Sequence, residues 1–132
     1  MTNADTTGPR RVRSTLARAV PAVAWAAVIF AGSAVPGTDV PGGWSVQGHL
    51  GEYAVFGALV LLALARSGAE RRAAWMALAI CSAYAVTDEF HQSFVPGRMP
   101  DPLDWVADTV GSAVGISAAL VAVRWRALRR TA

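Results

Sequence analysis

The sequence contains no lysine: its 12 basic residues are all arginine, set against 9 acidic ones. Charged residues make up only 16% of the chain, where a soluble domain carries about a quarter. The formal charge of +3 is modest and the arginines fall in a few clusters, which argues against a nucleic-acid partner. Cysteine occurs once, at Cys81, so no internal disulfide can form. Within its apolar run that thiol reads as a small packing residue. No internal repeat, no H-E-x-x-H spacing and no recognisable nucleophile motif is present. At 132 residues the chain has the length of one domain.

What it has is apolar length: 54% of the residues are hydrophobic. The first run, Ala19 to Thr38, holds 20 residues without a charge, enough to cross a hydrocarbon core of about 30 Å. A signal peptide is the other reading of this basic-then-apolar start, but the run is longer than a usual signal core. The next two uncharged runs are shorter: 13 residues from Tyr53 to Ala65 and 15 from Ala73 to Thr87. Each must carry polar residues into the membrane to span it. The second segment extends back through Glu52 and His49, the third forward through Asp88, Glu89 and Gln92. The fourth, Leu103 to Val123, holds Asp104 and Asp108 near its start.

Loop charge predicts the orientation. Arginines precede segment one, separate segments two and three (Arg66, Arg71, Arg72) and follow segment four (Arg124, Arg126, Arg129, Arg130), while the other two connections hold only Arg98. The positive-inside rule then gives four spans with both termini in the cytoplasm. Trp44 and Trp105 fall near the outer boundary and Trp75 and Trp125 near the inner one. The expected architecture is an all-α, polytopic four-helix transmembrane bundle, N-in/C-in. A basic tail of residues 1–18, polar and disordered over its first eight, precedes the helical domain, 19–124; a second basic tail, 125–132, follows it. Pro36, Gly37, Pro41, Gly42 and Gly43 mark one outer turn region, and Pro96, Gly97, Pro100 and Pro102 the other. The polar ends of three helices therefore converge at one, outer depth.

Three stretches carry that convergence. In GHLGEYAVFG, His49, Glu52, Tyr53 and Phe56 lie one turn apart and share a helix face. A carboxylate in a membrane helix is expected to face the bundle interior or a watery cavity, which makes Glu52 and His49 candidates; headgroup anchoring is the alternative for His49 and Tyr53. In TDEFHQSF, Asp88 and Gln92 are on one face and Glu89 lies about 100° around; His91 reads as a solvated helix end. In PGRMPDPLDWVADTVGSAVG, Asp101, Asp104, Asp108, Gly111 and Gly115 form a continuous helical stripe. Asp101 suits an N-cap before Pro102. Asp108 lies a turn deeper, where capping cannot account for it. Gly111 and Gly115 allow close helix approach. Arg98, the lone base at this end, either bridges Asp101 or Asp104 or binds an anionic group of a ligand.

Assembled, these motifs resemble the VanZ-like family of small bacterial membrane proteins. The resemblance rests on H-x-x-E-Y (His49, Glu52, Tyr53), D-E-x-x-Q-x-F-x-P-G-R (Asp88 to Arg98), D-x-x-D (Asp101, Asp104) and the closing Gly111. It covers roughly Val20 to Val123. Two departures stand out: the family pattern usually has Asn where this chain has Asp108, and Ser45, Val46 and Gln47 replace charges often found before the histidine. The resemblance implies a cell-envelope role, since the namesake is linked to teicoplanin resistance.

The expected function is a membrane protein with a carboxylate-rich pocket at the extracytoplasmic face. Its ligand-binding candidates are Tyr53, Gln92, Arg98, Asp101, Asp104 and Asp108, and its partners are membrane lipids and a lipid-linked or glycopeptide-type ligand. The first alternative is an intramembrane hydrolase or transferase, with His49, Glu52, Asp88 and Glu89 as acid–base candidates. The second is a small transporter, disfavoured because the inner halves of segments two and three are apolar. A purely architectural role leaves many acids facing one arginine, a costly arrangement in a bilayer. Spacing alone gives no cofactor and no metal: histidine and carboxylates suit a divalent ion chemically, but in no familiar ligand order.

Overall fold

A computed structural model describes residues 8–39, 45–66 and 68–129. They form four α-helices and no strand: α1 (Gly8–Ser33), α2 (Ser45–Leu64), α3 (Glu70–Gln92) and α4 (Pro102–Leu128), with a short 3₁₀ turn at Gly37–Asp39. Residues 1–7, Trp44 and the Pro41–Gly43 turn, all subjects of sequence expectation, lie outside the described residues. Three helices are long and apolar enough to cross a membrane, over Leu16–Ser33, Val46–Leu64 and Pro102–Leu128. Helix α3 has 23 residues, but Glu70, Arg71 and Arg72 at one end and Asp88, Glu89, His91 and Gln92 at the other keep its mean hydropathy low.

The helices alternate in direction. The end of α1 meets the end of α3 through Ser33 and His91, and the following turns pack together, Gly37 N–H donating to the Pro96 carbonyl (3.0 Å). A Cβ on Gly37 would collide with the Gly97 backbone, and Gly97 adopts φ +74°, so both glycines are required by this close approach. Helix α1 ends at Ser33, earlier than the apolar run suggested, because Pro36 restricts the chain before it. The two connections, α1–α2 and α3–α4, thus share one end of the bundle, here called the acidic end.

The closest packing is between α2 and α4. A Cβ on Gly115 would collide with the Ala54 backbone, and one on Gly111 with that of Leu50. On the opposing helix, a Cβ on Gly57 would lie 2.9 Å from Ser112 Cα. The small-residue stripe of α4 therefore lets two backbones approach in a way that larger residues forbid. Around it, Tyr53, Phe56, Val60, Leu61, Ala77, Cys81, Ala85 and Ile116 form the buried core. Helix α1 is clamped by two polar anchors: Trp25 Nε1–H donates to the Glu52 carbonyl (2.9 Å), and the Tyr84 hydroxyl to the Ala26 carbonyl (2.7 Å).

Helix α4 opens as its sequence indicates. Asp101 is extended, with its carboxylate accepting from Leu103 N–H (2.8 Å), and Pro102 occupies the first turn. Removing this cap in Asp101→Ala is expected to cost about 1 kcal/mol, read by thermal unfolding in detergent. Asp101→Asn, which still caps, is expected to unfold like the parent chain. Equal losses in both variants would assign Asp101 a role other than capping.

Candidate functional site

At the acidic end α2, α3 and α4 bring their polar turns together. His49 on α2 and Asp108 on α4 are both buried, and His49 Nδ1–H donates to Asp108 Oδ1 at 2.8 Å. The pairing follows from the close α2–α4 crossing below it, which carries the first turns of the two parallel helices into side-chain range. One turn nearer the start of α4, Asp104 Oδ2 lies 3.7 Å from His49 Nε2. His49 thus sits between two carboxylates one turn apart on the same helix, as the i, i+4 spacing allows.

Helix α3 supplies the third wall. Its Gln92 donates from Nε2 to Asp88 Oδ2 (3.3 Å), and both residues are buried. Glu89 turns toward α4, where its Oε2 accepts from the backbone N–H of Asp101 (2.9 Å). It stands in electrostatic range of His49, Asp104 and Asp108. Tyr53, fully buried one turn below His49, stands in electrostatic range of Asp108 and Asp88.

Several of these groups end without a partner. Asp108 Oδ2, Asp88 Oδ1, Glu89 Oε1, the Tyr53 hydroxyl and Ser112 Oγ are buried and make no hydrogen bond. Buried polar atoms are ordinarily satisfied, and two of these exceptions, on Asp108 and Glu89, belong to groups in electrostatic range of His49, which marks a place where this fold departs from stability alone.

The other candidates lie at the rim. Glu52 is exposed: the 100° between it and Tyr53 turns it toward α1, where a Cβ on Gly32 would lie 4.0 Å from Glu52 Oε1. It therefore does not share the buried face of His49 and Tyr53, although it stays in electrostatic range of His49, Asp88, Asp108 and Arg98. Arg98 bridges neither Asp101 nor Asp104 among the described residues; its Nε donates to the Val35 carbonyl (3.2 Å), tying the two acidic-end turns together. Asp101 is spent as a cap. Gly111 and Gly115 act in packing.

Sequence reasoning missed three participants. His91 is not a solvated end: it stacks on Phe30, ring centroids 4.0 Å apart, and its Nδ1 lies 3.1 Å from Ser33 Oγ. Ser112, between the two stripe glycines, is fully buried; its small size in a glycine stripe was the available signal. Trp105 Nε1–H donates to Ser82 Oγ (3.2 Å), which is 3.2 Å from Thr109 Oγ1. That hydroxyl pair joins α3 to α4 without any motif to announce it.

A family model described as VanZ/LLP1 matches residues 11–123, most of the chain and all of the site just described. No curated protein matches the chain, and no solved structure does.

Proposed function

The chain belongs to the VanZ-like family, and on that premise we propose a multi-pass protein of the cell membrane that acts in the cell envelope. In this reading the His49–Asp108 cluster faces the extracytoplasmic side and holds a polar, lipid-linked or surface ligand at headgroup depth. The carrying observation is the buried 2.8 Å His49–Asp108 pair with unpartnered carboxylate oxygens from α3 and α4 around it. Ionisable groups inside a membrane bundle are functional by default, because their cost is otherwise unrecovered.

The orientation is supported by charge. Arg66, Arg71, Arg72, Arg124, Arg126 and Arg129 lie at the α2–α3 end, and Arg98 alone at the acidic end, as the positive-inside rule asks of an N-in/C-in chain. Helix α3 serves as the fourth span: its 23 residues cover about 34 Å, and its polar turns fall at the two interfaces. Arg98, held at the rim by Val35, is placed to meet an anionic headgroup with its remaining guanidinium N–H groups.

An enzymatic reading draws on the same pair. An imidazole held by one buried carboxylate is oriented as general bases commonly are. A hydrolase or transferase acting on a lipid-linked envelope substrate would use His49 to take a proton and Asp108 to hold the ring. Both readings predict that a strain lacking the protein changes in susceptibility to glycopeptides and lipoglycopeptides. Wild type is expected to restore the parental response, and Glu89→Gln and Asp88→Asn to fail to restore it despite normal insertion. Full complementation by inserted variants would move the working site away from the carboxylates. An unchanged deletion strain would remove the envelope role from this chain.

A further inference from the structure

The geometry points to a binding site for one divalent first-row transition-metal ion, of the zinc or manganese class, on His49, Glu89 and Asp108. One donor atom from each of these residues lies within 4.8 Å of the others. With metal–ligand bonds of about 2.1 Å, neighbouring donors on one ion stand about 3.0–3.4 Å apart, so the widest pair of the set closes by up to about 1.8 Å when an ion is taken up. His49 Nδ1 and Asp108 Oδ1 are already 2.8 Å apart, near the roughly 3.0 Å between adjacent donors set at right angles on such an ion.

The cluster is more than a group of acids. Each carboxylate is fixed through one oxygen and leaves the other free. Glu89 Oε2 is held by the Asp101 backbone N–H, while Oε1 is buried without a partner. Asp108 is fully buried; its Oδ1 is held by His49 and its Oδ2 has no partner. A buried carboxylate oxygen left bare costs free energy, and a cation bound by these carboxylates offsets that cost. For Nδ1 to ligate, it gives up its proton and its hydrogen bond to Asp108 Oδ1; the neutral ring then carries its N–H on Nε2, and Asp104, 3.7 Å from Nε2, stands on the side from which a carboxylate orients a metal-bound imidazole. The side chains of His49 and Asp104 are 10% and 13% accessible, so an ion enters past them from the acidic end.

The donor chemistry selects the ion. One imidazole with two carboxylates suits zinc, iron or manganese and is poor for calcium, which prefers six to eight oxygens. Three protein donors also leave coordination positions for water or a ligand oxygen. This inference stands on side-chain geometry and needs no envelope ligand, so it can fail while the envelope role survives, and the reverse.

The test is metal binding by the full chain, purified in detergent without a histidine tag and stripped with a chelator. Titration with Zn²⁺ and with Mn²⁺ is expected to give about one high-affinity site per chain for at least one of the two ions, not displaced by excess Ca²⁺. His49→Ala, Glu89→Gln and Asp108→Asn are each expected to weaken it by about tenfold or more, whereas Asp39→Asn, an exposed acid in the first turn, leaves it unchanged. Circular dichroism checks that each variant is folded. A wild-type chain that binds neither ion, or whose binding survives His49→Ala and Asp108→Asn undiminished, overturns the site, and the first of these results needs no variant at all.

Discussion

Gly115→Leu is expected to prevent the bundle from assembling. The added side chain has nowhere to go: even its first carbon would fall on the Ala54 backbone of α2. Overpacking against side chains costs about 1–3 kcal/mol because rotamers can shift. Here the obstacle is a backbone carbonyl inside a helix, so relief requires α2 and α4 to separate along their closest crossing. Their separation would pull His49 from Asp108, since the same crossing sets that contact. The expected loss is about 3 kcal/mol or more, read as a lower unfolding temperature and as aggregation on size-exclusion chromatography. Gly51→Ala supplies the contrast. Gly51 lies on the exposed face of α2 with nothing within 4 Å of an added Cβ, so alanine there is expected to leave stability unchanged or raise it by up to about 1 kcal/mol. A Gly115→Leu chain that unfolds like Gly51→Ala would mean that α2 and α4 do not approach backbone to backbone.

The sequence carried the parts of this structure that depend on periodicity and composition. Asp104, Asp108, Gly111 and Gly115 sit on one stripe of α4, and that spacing placed acids and small residues on one face before any contact was known. The same reasoning gave four helices, because uncharged runs broken by arginine and proline leave few other arrangements. It could not say how the face of α2 divides. His49, Glu52 and Tyr53 lie within about one turn, and only the packing of the other helices decides which is buried: Tyr53 meets Tyr84 of α3 and is buried, while Glu52, turned toward α1, stays exposed. Arg98 illustrates a second gap. Its partner is the Val35 carbonyl, 63 positions away, and a backbone carbonyl leaves no residue-type signature. His91 illustrates a third: its partners, Phe30 and Ser33, are at the end of α1, and a ring stacked across two helices has no local spacing to read.

Asp108→Ala and Asp108→Asn are expected to differ sharply in stability. Alanine removes both oxygens, leaves His49 Nδ1 without an acceptor in a buried position and opens a space where a fully buried side chain stood. Breaking one side of a buried charged pair costs about 3–5 kcal/mol. Part of that is returned here, because the bare Oδ2 disappears with the carboxylate and an unsatisfied buried group carries a penalty of about 1–3 kcal/mol. The net expectation is a loss of about 2 kcal/mol, the difference between the two effects. Asparagine keeps the volume and an oxygen to accept from His49, and its amide replaces the bare anionic oxygen with a neutral donor in electrostatic range of Asp88 and Tyr53. It is therefore expected to be as stable as the parent chain, or more so, while losing any role that needs a negative charge at this position. Unfolding should be followed with a chelator present, because an ion bound only by the folded chain would add its own stabilisation. A double-mutant cycle of Asp108→Ala with His49→Ala is expected to return a coupling of about 1–3 kcal/mol. A coupling near zero would mean that the 2.8 Å contact contributes nothing to the fold. An asparagine variant as unstable as alanine would mean that the charge itself holds the helices together, and the cluster would then be architecture and not a working site.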